Sequence, residues 1–591
     1  MKKNRETNIC LVPVVLWIIV VPLVVITKNF ANPLIGYPWY NSLENLADLF
    51  LYYKSQLVTL TGVLMLALLI WQISKMRRKD TLLNADTRLF IPILIYALLA
   101  VASSLFSEYG YFCTHGIPDQ FETVWNLLAY VVALLYFYYI IMYHNSERPI
   151  FIMAFIGAAL VSLICVLQYC GIDIYRIIYP ESKGYIFSFA KHVVYGPFYN
   201  INYVAYYVLL FAPLFFMLCI LYKDLKVRII SGILVIALLI SLVGAESSTG
   251  EIAIAGVAAF TVFFLLIKNV KTKKILWIPI AGMLVVGVAG FALALPKINA
   301  YIQSTNTEKK DLENIFTNDD NVELDYKGQK LYIQMVEENG FLTFLLKDQN
   351  QADVAYEYST NDEYYFFTIT DERFSNITLT PALIEEDVQA YGFIVQIDEK
   401  SWNFTNQLAE DGTYYYYSDE GKLAKLTSET PSADFAPLVN VSSFANGRGY
   451  LWNKTITLLK DYIILGSGAD TFTLVYPNDD FVDKYNNGYD NMVITKPHNL
   501  YLQIAVQTGM LSLICFIVFY MWYFISSLRI YFKQRLDNLL AITGFSIMLG
   551  TLGYMISGIA NDSTITVAPL YWAMMGIGIA INHRIKTAAE Q

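Results

Sequence analysis

His498 and Arg448 are the two side chains whose types and surroundings point most directly to chemistry. His498 stands in Lys-Pro-His-Asn (496–499), immediately before an apolar run. A neutral imidazole can accept a proton near neutral pH, so it could act as a general base. Arg448 could bind an oxyanion through its charge and its two parallel N–H donors. Taken singly, each residue is also common as a structural group at a membrane border.

Twelve apolar runs surround these residues. The chain is 56% hydrophobic and only 15% charged, whereas soluble domains carry about 25% charged residues. A membrane-spanning helix needs about 20 apolar residues. The candidate spans are 9–26, 57–74, 88–106, 124–143, 149–170, 203–222, 228–244, 250–267, 275–296, 501–527, 537–559 and 565–582.

Lysine and arginine in the short loops predict the orientation. If all twelve spans are real, one side of the membrane carries both basic termini and the basic loops, such as 75–79 and 268–274. Positive charge marks the cytoplasmic side. We therefore expect a multi-pass cell-membrane protein with both termini in the cytoplasm. The loops 107–123, 171–202 and 297–500 would lie outside. No basic patch suggests nucleic acid as a partner.

The outer stretch 301–440 differs from the rest of the chain, with 27 acidic against 9 basic residues. Short β-rich segments separated by turn signals run through 322–435, for example at 341–346 and 391–397. We predict a small β-sandwich-like domain outside the membrane. The expected fold class is an all-α polytopic membrane protein with about twelve transmembrane helices and an inserted extracytoplasmic β-rich domain.

The predicted domain plan follows from these elements. Apolar residues at near-helical spacing predict an amphipathic helix over 448–462, lying along the outer membrane surface. The domains are then helices one to nine at 1–296, the β-rich insert at 297–445, an outer loop with this helix at 446–500, and helices ten to twelve at 501–591.

Several motifs in this frame resemble the O-antigen ligase and polymerase family. The main ones are Asn-Gly-Arg-Gly-Tyr-Leu-Trp (446–452), Gly-Ser-Gly-Ala-Asp-Thr-Phe (466–472), Lys-Pro-His-Asn-Leu-Tyr-Leu-Gln (496–503) and Gln-Thr-Gly (507–509). Gly-Pro-Phe-Tyr-Asn-Ile-Asn (196–202) and Asn-Asp-Ser (561–563) also resemble family patterns. The resemblance covers about 1–296 and 440–591 and leaves the β-rich insert outside.

The resemblance implies an inverting glycosyltransferase that needs no metal and no cofactor. The donor would be a glycan on undecaprenyl diphosphate at the outer leaflet of the bilayer, and the acceptor a glycan, lipid or protein. The family's histidine corresponds to His498, which would be the catalytic base. Its loop arginine corresponds to Arg448, which would hold the donor diphosphate, with the free N–H groups of a helix start assisting.

One departure concerns the second cation. Many members carry an arginine where this chain has Thr249, in Glu-Ser-Ser-Thr-Gly-Glu (246–251). Lys191, Lys183 and Arg176 are candidates to replace it, and Lys191 is preferred because it is closest to the Asn200 and Asn202 stretch. For each of them a solvated loop charge is the favoured alternative. The remaining substrate-binding candidates are Asn200, Asn202, Asn499, Thr249, Glu122 and Asp562.

Glu122 and Asp562 each have a structural alternative. Glu122 could hold an arginine or a sugar hydroxyl, or be a solvated loop acid. Asp562 lies at the outer end of a span, where polar groups tend to face the bundle interior, although it could also be a helix cap.

Three functions remain open on the sequence alone. The protein could ligate a finished glycan onto an acceptor in surface polysaccharide or cell-wall biosynthesis. It could instead polymerise repeat units on the lipid carrier with the same site. A non-enzymatic transporter or sensor with an external ligand-binding domain is the third alternative. Few charged residues fall within the spans, which counts against an ion-coupled transporter.

Overall fold

The computed structural model describes residues 2–77, 87–144, 146–183, 185, 187, 189–269, 310–360, 365–427, 434–435, 438, 442–445, 447–490 and 492–590. The numbered helices are α1 Lys2–Val15, α2 Tyr52–Arg77, α3 Ile91–Leu105, α4 Val124–His144, α5 Glu147–Tyr169, α6 Ile201–Leu221, α7 Leu225–Ala245, α8 Ser248–Asn269, α9 Arg448–Leu458, α10 Phe481–Asn486, α11 Leu500–Thr508, α12 Met510–Lys533, α13 Leu539–Ser557 and α14 Ala568–Glu590. Short unnumbered helices are Val21–Leu23, Gly110–His115, Ile174–Ile178 and Phe472–Val475.

Ten helices in the described part of the chain are long and apolar enough to cross a membrane. They are the helical stretch Glu6–Leu23, which continues α1, and helices α2 to α8, α12 and α13. The predicted span 275–296 lies outside the described residues. The predicted span 565–582 corresponds to α14, which is almost fully buried through Asn582. Together with the β-rich insert described below, these helices confirm the predicted fold class.

The predicted tenth span, 501–527, is wrong as a single helix. The structure divides it into α11 and α12 at Gly509, whose φ is 100°. A positive φ ends a helix, and glycine adopts it without steric cost. The Met510 N–H then donates to the Tyr462 carbonyl (2.9 Å) instead of continuing α11. The helix after His498 is therefore a short buried helix rather than the start of a span.

Three helices form the centre of the bundle. In α4, α6 and α13, 72%, 78% and 78% of the most apolar stretch is buried, against 28% to 44% in the other spans. The outer helices expose large aliphatic side chains, as α7 does with Ile229, Ile233 and Ile236. Such side chains suit contact with lipid tails. The central helices are consequently the spans best shielded from lipid.

Close helix packing depends on two glycines. A Cβ atom on Gly550 of α13 would lie 2.6 Å from the Leu210 carbonyl oxygen of α6, and one on Gly576 of α14 would lie 2.2 Å from the Leu134 carbonyl oxygen of α4. Small residues let helix backbones approach within a membrane. These contacts hold the central helices at a fixed spacing.

The insert is a pair of antiparallel sheets. The strands are β3 Leu312–Thr317, β4 Val322–Tyr326, β5 Gln329–Glu338, β6 Phe341–Asp348, β7 Tyr356–Thr360, β8 Tyr365–Ile369, β9 Ile377–Glu385, β10 Ala390–Ile397, β11 Lys400–Thr405, β12 Tyr415–Tyr417 and β13 Leu423–Ala424. One sheet has the strand order β3-β4-β5-β6, and the other β13-β12-β11-β10-β9-β8-β7. A separate hairpin pairs β1 Lys28–Ala31 with β2 Asn45–Asp48.

The two sheets of the insert share one core. Alternate residues of β5 and β10, such as Leu331, Ile333, Phe393 and Val395, are buried in the same apolar cluster. This alternation is what a strand with one buried face produces. The predicted β-rich insert is therefore observed, with two sheets packed on a common core.

The insert is attached to the loop that follows it. Phe481, Val482 and Tyr485 of α10 pack into the core of the two sheets. The Tyr485 ring meets Trp402 edge-on at 5.7 Å, and the Phe481 ring lies 5.1 Å from Tyr416. Helix α10 thus belongs to the insert by packing, although it follows α9 in the chain.

The predicted amphipathic helix at 448–462 is shorter and differently packed than expected. It ends at Leu458, and its buried residues mix Tyr450 and Leu451 with Asn453, Lys454 and Thr455. Lys454, only 3% exposed, pairs with Asp434 at 2.6 Å and with Asp483 of α10 at 2.9 Å. The polar residues are buried because they face the insert side of the protein.

Substituting Lys454→Met should destabilise the protein. The change leaves Asp483 and Asp434 without their cation, and we expect a loss of about 2 kcal/mol because both carboxylates keep some contact with water. Thermal unfolding of the detergent-solubilised protein measures the effect. Lys347→Met is the matched control, since the exposed Lys347–Asp353 pair should contribute little. Equal melting temperatures for the two variants would contradict the prediction.

Candidate functional site

His498 and Asp562 form a hydrogen-bonded pair at the ends of the central helices. His498 Nδ1 lies 2.8 Å from Asp562 Oδ2. The imidazole is 43% exposed, whereas the Asp562 side chain is 1% exposed. Donation from Nδ1 to a carboxylate leaves Nε2 as the accepting nitrogen. The pair therefore combines a partly exposed imidazole that can accept a proton with a buried carboxylate.

The backbone around His498 orients the ring. His498 has a φ of 50°, which places it in the left-handed region just before α11. Asn499 caps α11, because its Oδ1 accepts from the Tyr501 and Leu502 N–H groups, both at 3.0 Å. The Asn499 N–H donates to Asp562 Oδ1 (3.1 Å). Asn499 thus connects the helix start to the same carboxylate that holds His498.

Asp562 remains the charged partner of this pair. Burial disfavours its ionised form, but the charge and hydrogen bond of His498, the charge of Lys496 and the Asn499 N–H outweigh burial. Together they hold the pKa of Asp562 below its ordinary value. A buried carboxylate with these partners can stabilise an imidazolium if His498 takes up a proton.

A second polar network joins this pair to α6 and α8. Asn561 Nδ2 donates to Thr249 Oγ1 at 2.9 Å, and Thr249 Oγ1 donates to Asn202 Oδ1 at 3.3 Å. Ser247 also donates to Asn202 Oδ1 (2.7 Å). The predicted residues Asn202 and Thr249 therefore lie together beside the residue preceding Asp562. Thr249, in the place of the expected arginine, acts here as a hydrogen-bonding link.

Glu122 lies on the inner side of the same cluster. It is buried, and it accepts hydrogen bonds from Tyr130 (2.8 Å), Ser563 (2.7 Å) and Gln503 (3.3 Å). Burial raises the pKa of Glu122 above its ordinary value. None of these partners is an arginine, and the alternative of a solvated loop acid is wrong. Glu122 links α4, α11 and the segment after Asp562.

Arg448 begins α9 on the open side of the cluster. Burial lowers the pKa of Arg448 from its ordinary value, and the charge of Asp562 acts in the opposite direction. Its guanidinium makes no ion pair or side-chain hydrogen bond with any residue the structure describes. Trp452 Nε1 donates to the Pro497 carbonyl (3.1 Å), which joins α9 to the His498 segment. Arg448 is thus a partly buried cation at the start of α9.

The role of Lys191 as the second cation stays a prediction. Its side chain is exposed and has no hydrogen bond or ion pair with the described residues. Its loop is held by the Val194 N–H, which donates to the Gly244 carbonyl (2.8 Å). Asn200 caps α6 by accepting from the Asn202 N–H (2.8 Å). Arg176 is occupied by Asp173 and Glu181.

Lys496 is a residue of this site that the sequence analysis did not select. It is 8% exposed, and its Nζ donates to Tyr203 Oη at 3.0 Å. The available signal was its position two residues before His498 within the same motif. Within the described ranges, no group of three histidine, cysteine or acidic side chains is placed to hold a metal ion.

A comparison with known families gives this cluster its context. Residues 430–517 match the family model described as O-Antigen ligase. This stretch is similar to the O-antigen ligase family and is referred to below as the O-antigen ligase domain. It contains Arg448 and His498, and it confirms the family resemblance seen in the sequence. No curated protein matches the chain.

The O-antigen ligase domain supplies only part of the cluster. Helices α9 and α11 lie within the matched residues, but Asp562, Asn202, Thr249 and Glu122 lie outside them. The matched family and the many candidate spans support a multi-pass membrane enzyme of the ligase and polymerase type. The cluster is assembled by helices from both halves of the chain.

Proposed function

We propose that the protein transfers a glycan from undecaprenyl diphosphate to an acceptor at the outer face of the cell membrane, for surface polysaccharide biosynthesis. The observation that carries this proposal is the His498–Asp562 pair (2.8 Å) next to an arginine without a described partner. The pair supplies a base and the arginine an anion site. The O-antigen ligase domain supports the donor class.

His498 Nε2 takes the proton from the acceptor hydroxyl as its oxygen attacks the anomeric carbon of the donor sugar. The bond between that carbon and the diphosphate oxygen breaks on the opposite face, so the anomeric configuration inverts. Asp562 stabilises the imidazolium that forms. Because His498 is 43% exposed, the proton can then pass to water.

Arg448 holds the leaving diphosphate. A guanidinium can donate two parallel hydrogen bonds to phosphate oxygens. The first N–H groups of α9 do not assist as expected, because the Gly449 and Tyr450 N–H groups already donate to the Phe444 (3.0 Å) and Ser442 (2.9 Å) carbonyls. The guanidinium contacts offset the negative charge that develops on the lipid carrier. The step uses side chains alone and no metal ion.

The short loops on the side of the two termini are basic, which supports a cytoplasmic location for both termini. The site would then face the outside of the cell. Ligation and polymerisation use the same chemistry and differ in the acceptor. In vesicles containing an undecaprenyl-diphosphate-linked glycan, a ligase joins the glycan to a non-lipid-carrier acceptor, whereas a polymerase lengthens the chain on the carrier. Transfer that stops in EDTA, or product that retains the donor's anomeric configuration, would contradict the proposed mechanism.

Substituting Arg448→Ala should weaken donor binding. Loss of a charge-assisted contact to the diphosphate should raise KM for the lipid-linked donor about 10- to 100-fold. Steady-state transfer at varied donor concentration measures it. Lys460→Ala is the matched control, because Lys460 is exposed just after α9 and should leave KM unchanged. An Arg448→Ala variant with the normal KM would remove Arg448 from the donor site.

A further inference from the structure

The segment that carries Asp562 has no helical backbone of its own to fix its position. Asp562 lies in the irregular link between α13 and α14. Its two neighbours in the chain are anchored instead by hydrogen bonds that involve side chains. On one side, Asn561 Nδ2 donates to Ser557 Oγ and to Thr249 Oγ1, both at 2.9 Å. On the other side Ser563 is anchored separately, so the placement of Asp562 depends on both neighbours.

Ser563 closes a ring of three hydrogen bonds with Glu122 and Gln503. The Ser563 hydroxyl donates to Glu122 Oε1, and the Ser563 N–H donates to Gln503 Oε1, both at 2.7 Å. Gln503 Nε2 donates in turn to Glu122 Oε2 (3.3 Å). Glu122 is 4% exposed and Gln503 2%, so little water competes for these bonds. The ring therefore holds the residue next to Asp562 by both its side chain and its backbone.

Glu122 connects this ring to a central helix. It lies two residues before α4 begins, and Tyr130 of α4 also donates to Glu122 Oε1 (2.8 Å). The three groups that contact this side chain, from Tyr130, Ser563 and Gln503, are all donors. A carboxylate suits them because it offers two acceptor oxygens and no donor. The segment that carries Asp562 is thereby tied to α4.

We propose that Glu122 is a positioning residue, which holds Asp562 in place through Ser563. A fixed Asp562 keeps the imidazole of His498 in the orientation of a general base, since His498 Nδ1 lies 2.8 Å from Asp562 Oδ2. This rests on the proposed function, because it assigns His498 the role of base. Direct contact between Glu122 and a sugar hydroxyl is the competing role. That role would require the sugar to reach a side chain that is 4% exposed.

A double-mutant cycle tests the route through Ser563. The variants are Glu122→Ala, Ser563→Ala and the double variant, assayed for kcat and for KM of the lipid-linked donor and of the acceptor. Glu122→Ala should lower kcat about 10- to 100-fold with each KM changed less than about twofold, because a small displacement of a catalytic group can cost that much. Ser563→Ala should lower kcat about 5- to 50-fold. In the Ser563→Ala background, Glu122→Ala should lower kcat only about threefold or less, because residues of one network couple non-additively.

Two further variants separate positioning from a general loss of buried contacts. Tyr130→Phe removes the donor that comes from α4 and leaves the bonds between Glu122 and Ser563 in place, so kcat should fall less than about threefold. Glu122→Gln keeps an acceptor oxygen for the Ser563 hydroxyl, and kcat should stay within about fivefold of normal. A kcat reduced about 10- to 100-fold in either variant would overturn the proposal.

The remaining outcomes also decide against it. A raised KM for donor or acceptor with normal kcat would assign Glu122 to a substrate. A normal kcat in Glu122→Ala, or losses that multiply in the double variant, would remove the route through Ser563. Where Glu122→Ala does not fold, Ser563→Ala carries the test because it removes a single hydroxyl. A kcat for Ser563→Ala within about twofold of normal would then overturn the proposal.

The failure of this inference can be told from failure of the proposed function. If His498→Ala retains transfer, the proposed base is wrong, whatever Glu122 does. If His498→Ala loses transfer and Glu122→Ala keeps it, only the role of Glu122 is wrong.

Discussion

Substituting His498→Ala should reduce glycan transfer about 10²- to 10⁴-fold, the range that a general base contributes. The substitution removes the imidazole whose Nδ1 lies 2.8 Å from Asp562 Oδ2. In cells, surface glycan should fall while the lipid-linked donor accumulates, because the donor is still made and is no longer consumed. Both pools can be measured from one culture by extracting the lipid fraction and the surface polymer.

The control for this experiment is another histidine. His115 is exposed in the loop between α3 and α4 and stacks on Tyr111 at 4.3 Å, and the structure describes no contact between it and the His498–Asp562 pair. His115→Ala should leave both pools unchanged. Membrane insertion of His498→Ala should be normal, since its side chain is half-exposed. Unchanged surface glycan in His498→Ala would remove the assignment of the base and favour the sensor or transporter alternative.

The second large effect is structural and concerns Gly466. A Cβ atom at this position would lie 2.2 Å from the Gln507 carbonyl carbon and 2.3 Å from the Thr508 nitrogen. Backbone atoms cannot move aside as a side-chain end can. The two segments are also bonded to each other, since Ser467 N–H donates to the Val506 carbonyl (2.8 Å). Gly466→Ala should therefore prevent α11 from packing against the segment that contains Gly466.

The expected result for Gly466→Ala is loss of folded protein in the membrane. Overpacking a tight site typically costs about 1–3 kcal/mol, and a clash with backbone on one side should reach at least the upper end. Fluorescence-detected size exclusion of the solubilised protein measures the folded fraction. Gly36→Ala is the control, because nothing lies within 4 Å of its added Cβ. A monodisperse peak of normal height for Gly466→Ala would contradict the close contact between Gly466 and the Gln507 backbone.

Hydropathy predicted most of the helices because each span is a local run of apolar residues, as at Val124–His144. It failed at Gly509, since a single glycine inside an apolar run is common within membrane helices. The break depends on a tertiary contact, the Met510 N–H to the Tyr462 carbonyl (2.9 Å). The sequence carries no local sign of that contact.

The site was predictable to the extent that its residues are neighbours in a motif. His498 and Asn499 were selected from one short stretch, and Asp562 from a separate pattern 64 residues from His498. Their contact could not be derived from spacing. Lys191 was preferred for its proximity in sequence to Asn200, and its role stays a prediction because its exposed side chain has no hydrogen bond or ion pair with the described residues. Lys496 was overlooked because the sequence does not show whether a charged residue in a loop is buried.

The attachment of α10 to the insert affects how chimeras of this protein should be built. A graft of residues 297–445 from a relative would separate Phe481, Val482 and Tyr485 from the Trp402 and Tyr416 rings that cover them. The transplantable block therefore runs through Asn486, whose side chain donates to the Leu312 carbonyl (2.8 Å) at the first strand of the insert. Such a block includes the Arg448 helix, so exchange of the β-rich insert between relatives would also exchange part of the proposed donor site.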